Sequence, residues 1–120
     1  MPRPTPSSDS NLMRGSLELL ILKSLCWGSR HGYDVSEWIE QATGTAILVE
    51  EGTLYPALHR LEKRGWIEAE WGLSKNRRRA KFYRLTGAGR TRLHDDARAW
   101  RRHAEGMAKA LAWTQPETAR

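Results

Sequence analysis

The sequence contains one cysteine and no apolar run approaching the roughly 18 residues that a membrane-spanning helix needs. A single cysteine, Cys26, excludes a disulfide within the chain and favours a reducing compartment. Residues 1–11 are rich in Pro and Ser but lack the apolar stretch of a signal peptide. We therefore expect a cytoplasmic protein with no membrane partner.

Sequence motifs typical of catalytic sites are also missing. The sequence has no nucleophile-elbow or phosphate-loop motif. Its four histidines, at positions 31, 59, 94 and 103, are scattered, and helical spacing places His94 and His103 on opposite faces of one helix. We predict that the protein is not an enzyme and holds neither a cofactor nor a metal ion.

Positive charge is present and is concentrated in one segment. The net charge is +6, and residues 71–94 contain eight basic and no acidic side chains. They are Lys75, Arg77, Arg78, Arg79, Lys81, Arg84, Arg90 and Arg92. Subtracting these eight from the total leaves the rest of the chain at −2. Such a cluster is often a solvated loop, but its confinement to one turn between two strands favours contact with phosphates.

Two helices are predicted in the first half of the chain. Residues 13–27 are apolar almost all round, so this helix needs cover on several sides, which a partner subunit would supply. Residues 31–43 form a short amphipathic helix that Gly44 stops in a left-handed conformation. Residues 45–49 predict either a brief strand or an extended connector.

A third helix is predicted from about residue 52 to Gly65, with Pro56 in its first turn, where proline is tolerated. Leu54, Ala57, Leu58 and Leu61 fall on one side. The other side carries Thr53, Tyr55, Pro56, His59, Arg60 and Lys63. These hydroxyl, aromatic and basic groups indicate a recognition surface, although a plain solvent face has the same exposure.

The second half predicts a hairpin and a long helix. Strands at residues 66–71 and 80–85 enclose the basic segment, and Thr86 is a suitable N-cap for a helix over residues 87–112. Apolar residues in that helix are spaced four and three apart, at Leu93, Ala97, Trp100, Ala104, Met107 and Leu111. This heptad seam favours packing against a second copy, with a helix folded back on its own domain as the alternative.

The predicted fold is mainly α with a small β-hairpin, arranged as a winged helix-turn-helix with a long C-terminal dimerisation helix. We divide the chain into a disordered arm at 1–11, a DNA-binding domain at 12–86, a dimerisation helix at 87–113 and a tail at 114–120. Leu17, Leu20 and Ile21 of the first helix join the seam in the predicted dimer interface.

Four motifs resemble the PadR family of regulators, in order and over about a hundred residues. They are Arg14-Gly15-Ser16-Leu17-Glu18-Leu19-Leu20-Ile21-Leu22, His31-Gly32-Tyr33, Gly52-Thr53-Leu54-Tyr55-Pro56-Ala57-Leu58-His59-Arg60-Leu61-Glu62 and Lys81-Phe82-Tyr83-Arg84-Leu85-Thr86. The resemblance implies a homodimeric repressor that binds a roughly palindromic operator in double-stranded DNA until an effector releases it. It also implies a DNA-reading helix at residues 52–64 and a wing at 72–81.

Together, the residues and the resemblance predict a DNA-binding surface. It comprises Tyr33, Thr53, Tyr55, Pro56, His59, Arg60, Lys63, Arg64, Lys75, Arg77, Arg78, Arg79 and Lys81. The wing tip lacks the Gly or Pro of many relatives. Two other functions stay open, namely an RNA-binding winged helix and a protein-interaction module.

The resemblance further implies a pocket for a flat aromatic effector, with Trp100 as a stacking surface and Trp113 beside it. Core or dimer packing is the more frequent use of such a seam tryptophan.

Overall fold

The computed structural model describes the backbone of residues 7–115 and the side chains of residues 15–115. Its elements, in chain order, are α1 (Ser7–Ser24), β1 (Arg30–His31), α2 (Gly32–Ala42), α3 (Glu51–Lys63), β2 (Ile67–Leu73), β3 (Arg79–Leu85) and α4 (Gly87–Ala112). The fold is mainly helical with one small antiparallel sheet, which confirms the predicted class. None of the helices in this described part is long and apolar enough to cross a membrane.

The hydrophobic core lies where α1, α2 and α3 meet the base of the hairpin. Ile21, Val35, Ile39, Ala57 and Leu61 are completely buried there. The apolar side predicted for α3 is confirmed, because Leu54, Ala57, Leu58 and Leu61 all lie in the core. Burial on this scale, at about 25 cal/mol per Å² of apolar surface, is what holds three short helices together.

The sheet has three strands in the order β1-β3-β2, one more than predicted. In the hairpin, Ile67 pairs with Leu85 and Leu73 with Arg79. The additional strand is only two residues long, and pairs Arg30 with Tyr83 and His31 with Phe82. Two residues give no period-two pattern to detect, so β1 is defined only by its partner strand.

Local signals at the ends of elements are confirmed. Gly44 and Gly65 follow α2 and α3 with φ of 60° and 78°, the left-handed conformation that glycine adopts without steric penalty. Thr86 caps α4, since its side-chain oxygen accepts a hydrogen bond from the Gly89 amide at 3.0 Å. The Thr86 hydroxyl also donates to the Gly65 carbonyl at 2.6 Å, which ties the end of α3 to the start of α4.

Several boundaries differ from the prediction. Helix α1 begins at Ser7, so residues 7–11 of the predicted disordered arm are helical, and it ends at Ser24 rather than residue 27. Helix α3 begins at Glu51, which makes Pro56 its sixth residue rather than part of the first turn. Residues 45–49 form a connector without a strand. Residues 1–6 of the arm and 116–120 of the tail lie outside the described residues.

Candidate nucleic-acid interface

Helix α3 presents its predicted recognition side to solvent. Thr53, Tyr55, Pro56, His59 and Lys63 are exposed, while the opposite side of the helix is fixed in the core. The anchored side determines which way the helix faces, because four buried apolar contacts leave no freedom to rotate about the axis. The hydroxyl, ring and ammonium groups on α3 are therefore held at the surface together.

The basic segment forms the tip of the hairpin. The Ser74 amide donates to the Arg78 carbonyl at 2.8 Å, and the Arg77 amide donates to the Ser74 carbonyl at 2.9 Å, which closes a tight turn. Arg77 lies in the left-handed region with φ of 60°, a conformation that usually requires Gly or Asn. Lys75, Arg77, Arg78 and Arg79 are all exposed. The tip therefore presents four cations to solvent within five residues of sequence.

A groove of about 490 Å³ joins α3 to the wing. It is lined by His31, Gly32, Tyr55, His59, Glu62, Trp71, Arg79, Ala80, Lys81 and Tyr83. The structure thus brings four of the predicted DNA-binding residues, Tyr55, His59, Arg79 and Lys81, into one continuous surface. The phenol of Tyr55 lies directly on Gly32, where any larger residue would collide with it.

Two residues of this groove were missed in the sequence, His31 and Trp71. Alternation in β2 predicts Ile67, Ala69 and Trp71 on one apolar side, but only Ile67 is fully buried and Trp71 is 59% exposed. The core ends at the base of the hairpin, so the same side of the strand faces the groove further out. The guanidinium of Arg79 lies over the Trp71 ring, 4.9 Å from its centroid, in a cation–π contact that orients this arginine.

Arg60 and Arg64 are not free in this surface. The Nε of Arg60 lies 2.7 Å from the carboxylate of Glu18 on α1, and a terminal nitrogen of Arg64 lies 3.1 Å from the same group. Lys81 is also paired, more loosely, with Glu62 at 3.6 Å. Glu18 lies 42 positions from Arg60 in sequence, and its carboxylate was not foreseen as a partner. DNA contact by Arg60 and Arg64 therefore stays a prediction.

Known proteins share this arrangement. Residues 21–95 match the sequence profile of the transcriptional regulator PadR-like family. The chain belongs to this family. The members of this family are transcriptional regulators rather than enzymes, which agrees with the prediction from the sequence that the protein is not an enzyme.

Three relatives illustrate the extent of the similarity. The chain is 40% identical to transcriptional regulator Rv3488 of Mycobacterium tuberculosis, covering 76% of this chain and 67% of that one. It is 29% identical to the negative transcriptional regulator PadR of Bacillus subtilis, covering 66% of this chain but only 43% of that longer protein. A PadR-like regulator of Bacillus cereus has a similar crystal structure, with a TM-score of 0.74, 26% identity and coverage of 87% and 99%.

Tyr33 borders the groove of this PadR-like protein without lining it. Its ring stacks on that of His31, with 6.4 Å between the centroids, and is exposed at the start of α2. A hydrogen bond with Glu37, reinforced by the negative charge of that carboxylate, raises the pKa of Tyr33. Burial similarly raises the pKa of Tyr83 in the groove. Both phenols therefore remain protonated near neutral pH.

The predicted dimer residues of the PadR-like chain fall into two groups. Leu17 and Ile21 lie in the core of the chain itself, so they are not available at its surface. Leu20, Leu93 and Ala97 are half-buried. Trp100, Ala104, Met107 and Leu111 lie on the exposed part of α4, where every residue from Arg98 to Trp113 is exposed.

The two tryptophans assigned to an effector are both exposed, Trp100 by 43% and Trp113 by 77%. Trp100 contacts His103, with 5.7 Å between the ring centroids. Trp113 lies thirteen positions further along the chain, a distance of about 20 Å along a helix. One flat ligand does not span this gap, so the two rings of a single chain do not form one pocket.

Proposed function

We propose that this PadR-like regulator is a sequence-specific DNA-binding protein that acts as a homodimer and represses transcription from a roughly palindromic operator. The observation that carries this proposal is the groove between α3 and the wing, where exposed cations and aromatic rings form one surface. Phosphate contacts give affinity and register, while contacts to base edges give specificity.

Helix α3 is proposed to read the major groove. Its exposed Lys63 and His59 have the chemistry to contact guanine acceptors, and Thr53 and Tyr55 have the chemistry to contact phosphates or the thymine methyl group. Pro56 and Tyr33 flank this surface. Because the helix is fixed by its buried side, a single orientation of these groups is presented to the duplex.

The wing is proposed to contact the flanking backbone. Lys75, Arg77, Arg78 and Arg79 are exposed at its tip, and Lys81 lies lower in the groove. Cations that neutralise phosphates release condensed counterions, so each contact makes the affinity more sensitive to salt. The wing therefore contributes affinity with little sequence information.

The exposed part of α4 supports a homodimer. A helix of this length in water is marginal without tertiary packing, and residues 98–113 are all exposed in the part of the chain that the structure describes. Trp100, Met107 and Leu111 expose 43%, 47% and 79% of their surface on one stripe. A second copy of α4 would cover this stripe, and a two-fold dimer would recognise a palindrome.

The proposal also includes repression of transcription and release of the protein from DNA by an effector. The Bacillus subtilis relative is a negative transcriptional regulator, which favours repression over activation. Trp100 is the proposed stacking surface for a flat aromatic effector, and Trp113 contributes only if a partner subunit brings it near. Titration with a panel of planar aromatic compounds tests this point, because binding beside Trp100 quenches tryptophan fluorescence and Trp100→Leu removes the change.

Selection of binding sites from random DNA duplexes tests the proposed function. We expect an enriched two-fold motif, bound with a steep salt dependence. His59→Ala and Lys63→Ala should relax the base preference, Arg78→Ala should weaken binding to all sequences, and Lys109→Ala, on distal α4, should change neither. Stronger competition by duplex RNA would instead favour the RNA-binding alternative, and absence of any nucleic-acid binding would favour the protein-interaction alternative.

A further inference from the structure

Glu18 is an acidic residue on α1 that faces the DNA-reading helix. Its side chain is only 15% exposed, and its two oxygens bind one arginine each, Arg60 at 2.7 Å and Arg64 at 3.1 Å. Charge-assisted bonds of this length are roughly twice as strong as neutral hydrogen bonds. Partial burial limits the access of salt and water to the Arg60 pair, whose guanidinium is 28% exposed.

The carboxylate is held in place by the helix that carries it. Leu17, next to Glu18, and Ile21, on the following turn, are buried in the core, so the position of Glu18 is fixed relative to α3. From Arg64 the contacts continue to the ring of Trp66, which Arg92 of α4 covers with its guanidinium 4.5 Å from the ring centroid. Arg92 in turn binds Asp96 at 3.0 Å. One connected set of contacts thus joins α1, α3 and α4.

We propose that Glu18 is a specificity-determining residue, which withholds Arg60 and Arg64 from DNA phosphates. This inference rests on the proposed function, because it concerns how the same surface binds DNA. A guanidinium already paired with a carboxylate neutralises no phosphate and releases no cation condensed on the DNA, so it adds little to the salt-dependent affinity. Sequence-independent attraction is then supplied by the wing, while α3 keeps the side chains that distinguish bases.

The variant Glu18→Gln tests this role by freeing both arginines at constant side-chain volume. We expect the slope of log K against log salt to steepen by about 0.9 per protomer for each arginine that gains a phosphate. At 0.1 M salt, this corresponds to roughly tenfold tighter binding of an unrelated duplex per contact. The preference for the selected operator over that duplex should fall, because the freed arginines add affinity for any sequence.

Glu68→Gln is the matched control. Glu68 binds Arg84 at 2.8 Å on the hairpin, so the change in charge is the same and one arginine pair is lost instead of two, but α3 is not involved. The inference requires a steeper slope in Glu18→Gln than in Glu68→Gln. A purely structural role for Glu18 predicts a lower melting temperature and weaker binding at an unchanged slope, which overturns the inference.

Arg64→Gln provides a second test that does not depend on the folding of Glu18→Gln. Arg64 is 46% exposed, and we expect its replacement to leave the salt slope unchanged, whereas Arg78→Gln should reduce it by about 0.9 per protomer. A reduced slope in Arg64→Gln overturns the inference. If the wild-type protein binds no duplex, the proposed function itself fails; if it discriminates normally and the variants show no difference, only the role of Glu18 is refuted.

Discussion

The carbonyl oxygen of Trp66 occupies the position that a Cβ atom at residue 89 would need. Gly89 lies in the first turn of α4, at the place where the helix crosses the turn that follows α3. The Thr86 amide donates to the same carbonyl at 3.1 Å. The start of α4 and the turn that follows α3 are therefore joined through a contact between backbones, which leaves no room for a side chain at residue 89.

Gly89→Ala should destabilise the protein, because either the turn at Trp66 or the start of α4 must move. We expect the free energy of unfolding to fall by about 1–3 kcal/mol, the usual range for overpacking. Gly106→Ala is the control, since nothing lies within 4 Å of a Cβ there, and it should raise stability by about 0.5–1 kcal/mol. Urea unfolding of both variants measures the difference, and equal effects would argue against the contact.

The turn at the wing tip contains strain at Arg77. A left-handed conformation costs a non-glycine residue roughly 1–2 kcal/mol, so Arg77→Gly should relieve it and raise the free energy of unfolding by up to about 1 kcal/mol. Arg78→Gly, in the next position and without a positive φ, should lower it by about 0.5–1 kcal/mol. Both variants lose one cation, so their DNA affinities should fall together. Stabilisation by Arg78→Gly as well would contradict this explanation.

Trp71 should support DNA binding through Arg79. Exposed cation–π contacts contribute about 0.5–1 kcal/mol, and a cation held over a ring loses less side-chain entropy when it meets a phosphate. A double-mutant cycle with Trp71→Leu and Arg79→Gln in DNA titrations should give a coupling energy of this size. Trp27→Leu is the control, because Trp27 is 64% exposed beneath Lys23 but does not line the groove. Additive effects of the two wing variants would show that Trp71 acts independently of Arg79.

A charge on the exposed stripe of α4 should weaken the proposed dimer. Ala104→Glu places a carboxylate among Trp100, Met107 and Leu111, where a partner helix would desolvate it. We expect the dissociation constant to rise more than about tenfold, measured by sedimentation velocity over a range of concentrations. Ala99→Glu makes the same change on another side of α4 and should leave association intact. If both variants associate as the wild type does, the stripe is not the interface.

The parts of the fold that the sequence predicted are those encoded by neighbouring residues. Helix α4 has its predicted bounds because Thr86 supplies the cap locally, and Gly65 ends α3 by the same logic. The roles of Arg60 and Arg64 depend on Glu18, which only the tertiary fold brings near. The pairing of these arginines with Glu18 and the two-residue strand β1 both depend on distant parts of the chain. Neither produces a recognisable pattern in its local sequence. Sequence therefore identified exposed cations of the proposed surface, but not which of them are paired within the fold.

The strand β1 also changes how the wing is supported. A hairpin alone is marginal in water, but here its base is paired on both edges of β3 and buried at Ile67, Tyr83 and Leu85. Beyond the pair formed by Gly72 and Ala80, the described strand pairing of the hairpin is between β2 and β3 alone. The base of the wing is thus supported on both sides, whereas the four exposed cations of its tip are held by the hairpin and its closed turn. In the proposed complex, ordering on DNA is confined to the side chains of these few residues, so the conformational entropy lost on binding is small for the number of charges that meet phosphates.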